Sequence, residues 1–566
     1  MPVAKIILAA ATAVAVMAAG ISRAAPAGPP ASSKHGGAPE APVSPANDAL
    51  GRALQRGALE SAEYALQRAL SLFHLEDVRA RYGDVSAPGP HDATLVLRDL
   101  RMQLHRLTGA ERRRAESLLE RPTDGPDDPF GDGYNTNDVD FRCSRHVCVH
   151  WANETADAPP LADANGDGVP NWVARTGRVM EHVWRMEVGR FGFRAPKPDI
   201  TSANHGPNGK LDVYLVDLGR GFYGYVNSDD PNLDPSADYR FYDFSSYMVL
   251  DDDFARRQFP PRFTTPGVQG LKVATAHEFF HAVQNAYDAF EDPWMLEGTA
   301  TWIEDVVYDR VNDNLNYVFG SPLSRPTVPL DISQRPFVYG SFIFWRFLSE
   351  SSCRTRPKVA PVRKLWSWAD GSRRGPDLYS VAAIKRLRKR ARGSLASTFS
   401  RFAFANLVPG FCYEEGRAYA RRGHVPLARE YVLGRTDSRR SARLSLDHLT
   451  SRYVRFQAER GLGPRRLRIA VDLPRRRAGA AAALAWKRNK VALFAPIAVN
   501  KRGRGARSVS FGARRRRVWL ILSNGSGRFQ CGRRTSFSCQ GRPRDDNRAF
   551  RFSARVVPVT AAQSQG

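Results

Sequence analysis

Long apolar runs are missing from this chain beyond Gly20, which excludes a bundle of membrane spans. Acidic side chains are nearly missing from the C-terminal quarter. Arg435 to Gly566 holds 32 basic residues against 6 acidic ones, whereas the remainder holds 52 against 51. The formal net charge of +27 over 566 residues therefore belongs to one end of the molecule. No internal repeat is evident, and no nucleic-acid-binding motif accompanies the charge, so basicity alone does not point to a genome-binding protein. Hydrophobic residues, by contrast, are present in ordinary measure. At 42 % hydrophobic and 10 % aromatic the chain is not mostly disordered, and its length allows a sizeable core over roughly two to four domains.

Cysteine is sparse but even in number. Cys143/Cys148, Cys353/Cys412 and Cys531/Cys539 fall as neighbours along the chain, and sequential pairing is the simplest of the roughly 15 pairings that six thiols permit. The N-terminus agrees with an oxidising destination. Lys5, the apolar run Ile6 to Gly20 and Ser22-Arg23-Ala24 have the layout of a secretory signal peptide over 1–24, too short for a membrane helix. The expectation is an exported protein, extracellular or at the cell surface, with disulfides.

Composition and periodicity then divide the chain. Residues 25–46, rich in Pro, Ala, Gly and Ser, read as a flexible linker. Residues 47–125 carry helical periodicity, with Leu59, Ala62, Leu66, Leu70 and Phe73 on one face and Leu97, Leu100, Leu104 and Leu107 on another. Thr108-Gly-Ala-Glu111 has capping-box spacing, with Pro122 beyond as a stop. This region reads equally as a pro-like region or as a plain structural domain. Over 126–435, strand-like runs (Arg142–Trp151, Leu211–Asp217, Ser246–Leu250) come first and helical ones later (Leu271–Tyr287, Met295–Tyr308, Val338–Glu350, Val381–Arg392), which predicts an α+β domain. Residues 436–566 hold short strand-like runs between turns, as expected of a small basic β-sandwich.

One stretch carries chemistry. In Thr275-Ala-His277-Glu278-Phe-Phe-His281-Ala-Val-Gln284 the two histidines stand four apart, so a helix presents both to one metal ion, and Glu278 sits close enough to hold water without ligating. Catalytic zinc takes three protein ligands and keeps one open position. Glu297, in Glu297-Gly-Thr-Ala-Thr-Trp302 and 16 residues past His281, is the foremost third ligand, with Glu291, Asp292 and Asp305 as competitors. The pattern H-E-x-x-H followed by E-G-x-A-x-W resembles the gluzincin metallopeptidases, the thermolysin-like and aminopeptidase-like group. The likeness spans roughly Pro126 to Arg435 and includes secreted bacterial metalloproteases of this clan, with their Leu211-Asp-Val-Tyr-Leu-Val-Asp-Leu218 and Val147-Cys-Val-His-Trp151 segments. The spacing to Glu297 is slightly shorter than in the thermolysin pattern. The resemblance implies a zincin-like catalytic domain, Glu297 as the zinc ligand and a carboxylate such as Glu304 behind a histidine. It further implies an oxyanion donor from a downstream helix, for which Tyr339 stands in Phe337-Val-Tyr-Gly; a packed aromatic is the other reading of Tyr339.

A second candidate metal motif is Asp163-Ala-Asn165-Gly-Asp167-Gly168, which matches the first half of an EF-hand-type calcium loop. Its twelfth position is Ala174, so the bidentate ligand is lacking, and an Asn/Asp/Gly turn is the alternative. Asp251-Asp-Asp253 reads as a solvated strand end or as a further calcium contact, and His146 and His150 as structural residues. The expected function is that of a secreted zinc endopeptidase acting on protein or peptide substrates, with Glu278 as general base. Its basic domain is expected to adsorb to an anionic envelope or polysaccharide. The alternative is an exported surface-binding protein on a catalytically inactive zincin scaffold, and the intact Glu278 argues against it.

Overall fold

The computed structural model describes residues 46–559, without 90, 125–127, 129, 220, 234–240, 260–264, 351–352, 354–357, 392, 476–478, 490, 514 and 534. The predicted signal peptide (1–24) and all but Ala46 of the predicted linker lie outside them. The protein is mixed α/β, with a strand-rich C-terminal region.

The first sheet has five strands in the order β1-β2-β3-β5-β4: β1 Val139–Cys143, β2 Val147–Ala152, β3 Leu211–Val216, β4 Gly224–Asn227 and β5 Tyr247–Asp251. The central three run parallel and are buried along their whole length. Strands covered on both faces need continuous apolar sequence rather than alternation. One face, with Val213, Leu215, Met248 and Leu250, packs on the helices Asn171–Trp184 and Gly267–Asn285. The other, with Tyr214, Val216, Tyr247 and Val249, packs on the N-terminal helices. Arg142–Trp151, which reads as one strand, is a hairpin. Its turn Ser144-Arg145-His146 holds none of the Gly or Asn residues that mark hairpins, and Cys143 faces Cys148 across it.

Five N-terminal helices span Ala49–Gln55, Ser61–Phe73, Leu75–Tyr82, Ala93–Gln103 and Gly109–Ser117. Of the predicted faces, Ala62, Leu66, Leu70 and Phe73 are buried on the second helix and Leu97 and Leu100 on the fourth, whereas Leu59 precedes the second helix and Leu104 and Leu107 lie past the end of the fourth. The capping box does not form, since Thr108 caps without a side-chain hydrogen bond. Gly109 takes φ +54, outside helical space, so the first-turn amides do not line up on the Thr108 hydroxyl. Beyond these helices Arg121, 1 % exposed, reaches into the sheet and pairs with Asp199 (2.8 Å), Asp212 (2.7 Å) and Asp229 (2.8 Å). Asp212 also holds His150 at 2.8 Å, and His146 pairs with Glu181 at 2.7 Å.

In the C-terminal region a five-stranded sheet (β11-β10-β13-β8-β6) and a four-stranded sheet (β12-β9-β16-β7) share one apolar core. The strands are β6 Arg429–Leu433, β7 Arg439–Leu446, β8 Thr450–Ala458, β9 Arg465–Asp472, β10 Ala480–Arg488, β11 Val491–Pro496, β12 Arg504–Phe511, β13 Arg517–Asn524 and β16 Arg548–Val557; β14 (Phe529–Gln530) and β15 (Arg542–Pro543) form a separate pair. Val454, Phe456, Leu484 and Leu520 from one layer meet Leu444, Ile469, Phe550 and Phe552 from the other. The three disulfides pair sequentially, Cys143–Cys148, Cys353–Cys412 and Cys531–Cys539. Among the described residues, no helix is long and apolar enough to cross a membrane.

Candidate metal centre

Helix Gly267–Asn285 is buried on nearly all sides from Gly270 to Gln284, and it carries His277, Glu278 and His281 on its inner face. A tight turn leads to helix Pro293–Val307, which opens with Pro293 at a position where its fixed φ suits a helix start. Seven residues apart, Glu297 and Glu304 share a face of that helix and look back at the histidines. Gly298 is the close-approach point, because a Cβ there would run into Trp345 Nε1 of the neighbouring helix Phe342–Ser349 and into Oγ of Ser341, which caps it.

His277, His281 and Glu297 bring one ligand atom each to within 4.8 Å of one another, all buried. His277 Nε2 lies 3.2 Å and His281 Nε2 3.7 Å from Glu297 Oε2. Each ring is turned by a partner on its other nitrogen. Gln284 donates its amide hydrogens to Leu296 O (2.9 Å) and Thr299 Oγ1 (3.0 Å), so its Oε1 faces His281 Nδ1 at 2.7 Å as an acceptor. Glu304 Oε1 stands 2.6 Å from His277 Nδ1. With its Nδ1 engaged, each ring turns its Nε2 towards Glu297 Oε2, and a cation fits between the two imidazoles and the carboxylate. His281 Nε2, Glu297 Oε1 and Glu278 Oε1 are sealed from solvent without hydrogen-bond partners. Burial, then His91 and His281, holds the His277 imidazole well below its ordinary range, which keeps it neutral as a ligand must be. Burial, then Asp313, Asp305 and Glu278, pushes Glu304 well up. For His281, burial pulls downward and Glu297 outweighs it, for a net rise. The donor set of two imidazoles and a carboxylate fits zinc.

The other acidic candidates are engaged elsewhere. Glu291 accepts from Ser380 N at 3.0 Å, Asp292 from Cys539 N at 2.9 Å, and Asp305 pairs with Arg346. In the loop of Asp163, Asn165 and Asp167 the carboxylates serve their own backbone. Gly166 N and Gly168 N each donate to Asp163 at 2.9 Å and Val169 N donates to Asp167 at 3.0 Å. Tyr339 is buried, with burial and then Glu297 pushing its hydroxyl well up, and its OH bonds to Asp92.

Asp92 belongs to a group that sequence reasoning missed. His91, Asp92 and Thr94, at the start of helix Ala93–Gln103, enter the site from the N-terminal region. The His91 ring stacks on His277 with centroids 3.8 Å apart and lies 3.7 Å from Glu278 Oε1 and 3.8 Å from Glu304 Oε1. Thr94 Oγ1 donates to Glu278 Oε2 at 2.8 Å and accepts from Val226 N at 2.9 Å on the sheet-edge strand β4. Asp92 also pairs with Arg335. Nothing local marks these residues. The one available signal is that His91 is one of only twelve histidines in the chain. A cavity of about 580 Å³ lies against the centre, lined by Tyr64, Arg68 and Asp92 on one side and Glu297, Tyr317 and Tyr339 on the other. The Tyr317 hydroxyl is buried without a hydrogen-bond partner.

No family model and no curated protein matches this chain. Among solved structures it is similar to the pre-peptidase C-terminal domain of a collagenase from Bacillus anthracis, at 13 % identity over 23 % of this chain and 96 % of that one, with a TM-score of 0.15. It is also similar to BtGH115A, a family GH115 4-O-methyl-alpha-glucuronidase with specificity for decorated arabinogalactans, at 9 % identity over 51 % of this chain and 42 % of that one, with a TM-score of 0.13. Likeness at this level carries neither fold nor function across.

Proposed function

We propose that the chain is an exported zinc-dependent endopeptidase whose N-terminal helices hold the site closed. The observation that carries this reading is the convergence of His277, His281 and Glu297 in the protein interior, with Glu278 beside them on the same helix. The gluzincin-like order of H-E-x-x-H and E-G-x-A-x-W supports it, and three disulfides support export. A zinc ion held there supplies the Lewis acidity that acidifies water and polarises a carbonyl.

The remaining work falls to the chain's own groups. Glu278 takes the proton of the attacking water and returns it to the leaving amine. Tyr339, freed from Asp92, donates its hydroxyl hydrogen to the developing oxyanion. Strand β4 is the open edge of the sheet and passes directly over Glu278, because a Cβ on Gly224 would lie 3.4 Å from Glu278 Cγ. An extended peptide pairing with that edge places its backbone beside the base. Thr94 blocks both features at once, since its hydroxyl occupies Val226 N–H and Glu278 together.

The basic domain is read as an adsorption module. Arg439, Arg555 and Arg468 stand opposite one another across β7, β16 and β9, and Arg443 stands opposite Arg551, all exposed. Like charges placed in register oppose folding, and an anionic polymer or envelope laid along them offsets that cost.

The test is zinc content together with cleavage of an unstructured protein after the N-terminal helices (Ala49–Ser117) are cut off by limited proteolysis and separated from the rest of the chain. Bound zinc with chelator-sensitive cleavage, lost in Glu278→Gln while zinc is retained, is the expected result. Full zinc occupancy without cleavage would overturn the enzyme reading in favour of an exported binding protein on an inactive scaffold.

A further inference from the structure

A second cluster of acidic side chains lies at the end of the central sheet. Strands β3 and β5 run parallel with Val216 opposite Asp251, and the chain leaves both at the same end. Asp217, Asp251 and Asp252 thereby bring one carboxylate oxygen each to within 4.8 Å of one another. This is not the solvated strand end that the run of three aspartates suggests. Asp251 is fully buried and Asp252 is 5 % exposed.

The polar atoms of the cluster are only partly satisfied. Asp251 Oδ1 accepts from Phe254 N at 2.5 Å, and Gln258 Nε2 donates to Asp217 Oδ1 at 2.7 Å and to Asp251 Oδ2 at 3.3 Å. Asp252 Oδ1 and Gln258 Oε1 are both sealed from solvent and have no partner. Of the two basic side chains on this stretch, Arg256 is exposed and Arg257 reaches Asp253 instead. Among the described residues no Arg or Lys pairs with the three carboxylates. Gathering buried carboxylates without a counter-charge is strongly unfavourable, and a buried oxygen left without a donor adds to the cost.

We propose that Asp217, Asp251 and Asp252 form a calcium site. The ligands on offer are all carboxylate oxygens, which selects a hard cation over zinc or other metals that favour nitrogen and sulfur. Calcium accepts an irregular oxygen set, whereas magnesium demands a near-ideal octahedron and surrenders its waters reluctantly. The site is coupled to the candidate metal centre through the backbone. Phe254, whose amide is held by Asp251, accepts at its carbonyl from Gly267 N (2.7 Å), the first residue of the helix that carries His277. Bound calcium fixes the approach to that helix, and its role is to hold the helix in place. The inference stands independently of the proposed peptidase activity.

The experiment uses the full chain stripped of metals on a chelating resin, reloaded with one equivalent of zinc in calcium-free buffer and titrated with calcium chloride by calorimetry and thermal unfolding. Calcium is expected to bind with a Kd of about 10⁻⁶ to 10⁻³ M and to raise the unfolding temperature by several degrees. Asp252→Asn and Asp217→Asn should each weaken binding about tenfold or more. In calcium-free buffer Asp252→Asn should unfold no earlier than the parent, because one of the crowded charges is gone. Asp163→Asn, in the exposed loop, should leave the calcium response unchanged. Wild-type protein that ignores calcium, a response unaltered in both Asp252→Asn and Asp217→Asn, or a response lost only in Asp163→Asn would each overturn the proposal.

Discussion

At the scale of single residues the centre depends on side chains that never touch the proposed ion. Gln284 is pinned by Leu296 O and Thr299, so it presents only its carbonyl to His281, and Glu304 does the same for His277. Replacing such orienting partners typically costs about 10- to 100-fold in metal affinity. Gln284→Leu and Glu304→Gln are therefore each expected to weaken zinc binding by about that factor in a competition titration against a chromogenic chelator, with little change in the folded spectrum. Arg121 is the opposite case, a residue of stability. It sits among Asp199, Asp212 and Asp229, and truncation leaves buried carboxylates without their cation, a loss of about 3–5 kcal/mol in urea unfolding for Arg121→Ala. The histidine pair and Glu278 were legible in the sequence because a four-residue spacing on a helix fixes their common face. Glu297 was legible because a second helix begins soon after. Thr94, His91 and Asp92 were not legible, since their partners lie far along the chain and no local pattern records a contact made through tertiary packing.

At the scale of elements the closing helix Ala93–Gln103 opposes the sheet edge β4 and the helix Gly267–Asn285 together. Its contacts at the centre come from a single turn, so two small changes suffice to loosen them. His91→Ala with Thr94→Val removes the ring stacked on His277 and the hydroxyl bridge between Val226 and Glu278. The double variant should cleave an unstructured substrate measurably faster than the parent full-length chain, without any proteolytic step, when initial rates are compared at equal zinc. Periodicity located this helix and the Leu97/Leu100 part of its buried face, while Leu104 and Leu107 lie past its end. What it could not supply was the direction of the helix start, which is set by the fold of the sheet beneath. The hairpin Val139–Ala152 teaches a related point. Alternation runs straight through a tight turn that lacks glycine, and only pairing across the disulfide reveals two strands.

At the scale of the whole molecule the strand-rich region is tied to the rest through buried ionic contacts. His448 lies between Asp331 at 2.9 Å and Asp546 at 2.6 Å, while Asp292 accepts from Cys539 N. Burial alone would lower the His448 pKa, but the two carboxylates outweigh it and push the imidazole up to about 10. A raised folded-state value means that the protonated ring stabilises the fold fully below the ordinary histidine range near pH 6.5, and that this contribution is lost as pH rises through about 10. His448→Gln should therefore lower the unfolding temperature most near pH 6, with the gap to the parent closing towards pH 10 in a melting series. The arginine rows on β7, β16 and β9 predict salt-sensitive retention on a sulfated polysaccharide. Replacing Arg439, Arg468 and Arg555 by Ser should lower the eluting salt concentration while leaving the proposed peptidase activity in solution unchanged.

The N-terminal helices also share a continuous apolar core with the sheet, where Leu66, Leu97 and Leu100 pack with Tyr214, Tyr247 and Val249. Cutting the chain after them does not by itself remove them. Under the proposed peptidase function, a nicked molecule keeps the N-terminal helices as a second polypeptide held by that core, so activation takes two stages, scission and then departure. Activity should lag behind the appearance of the cleaved band, and the lag should shorten on dilution or when the released piece is digested.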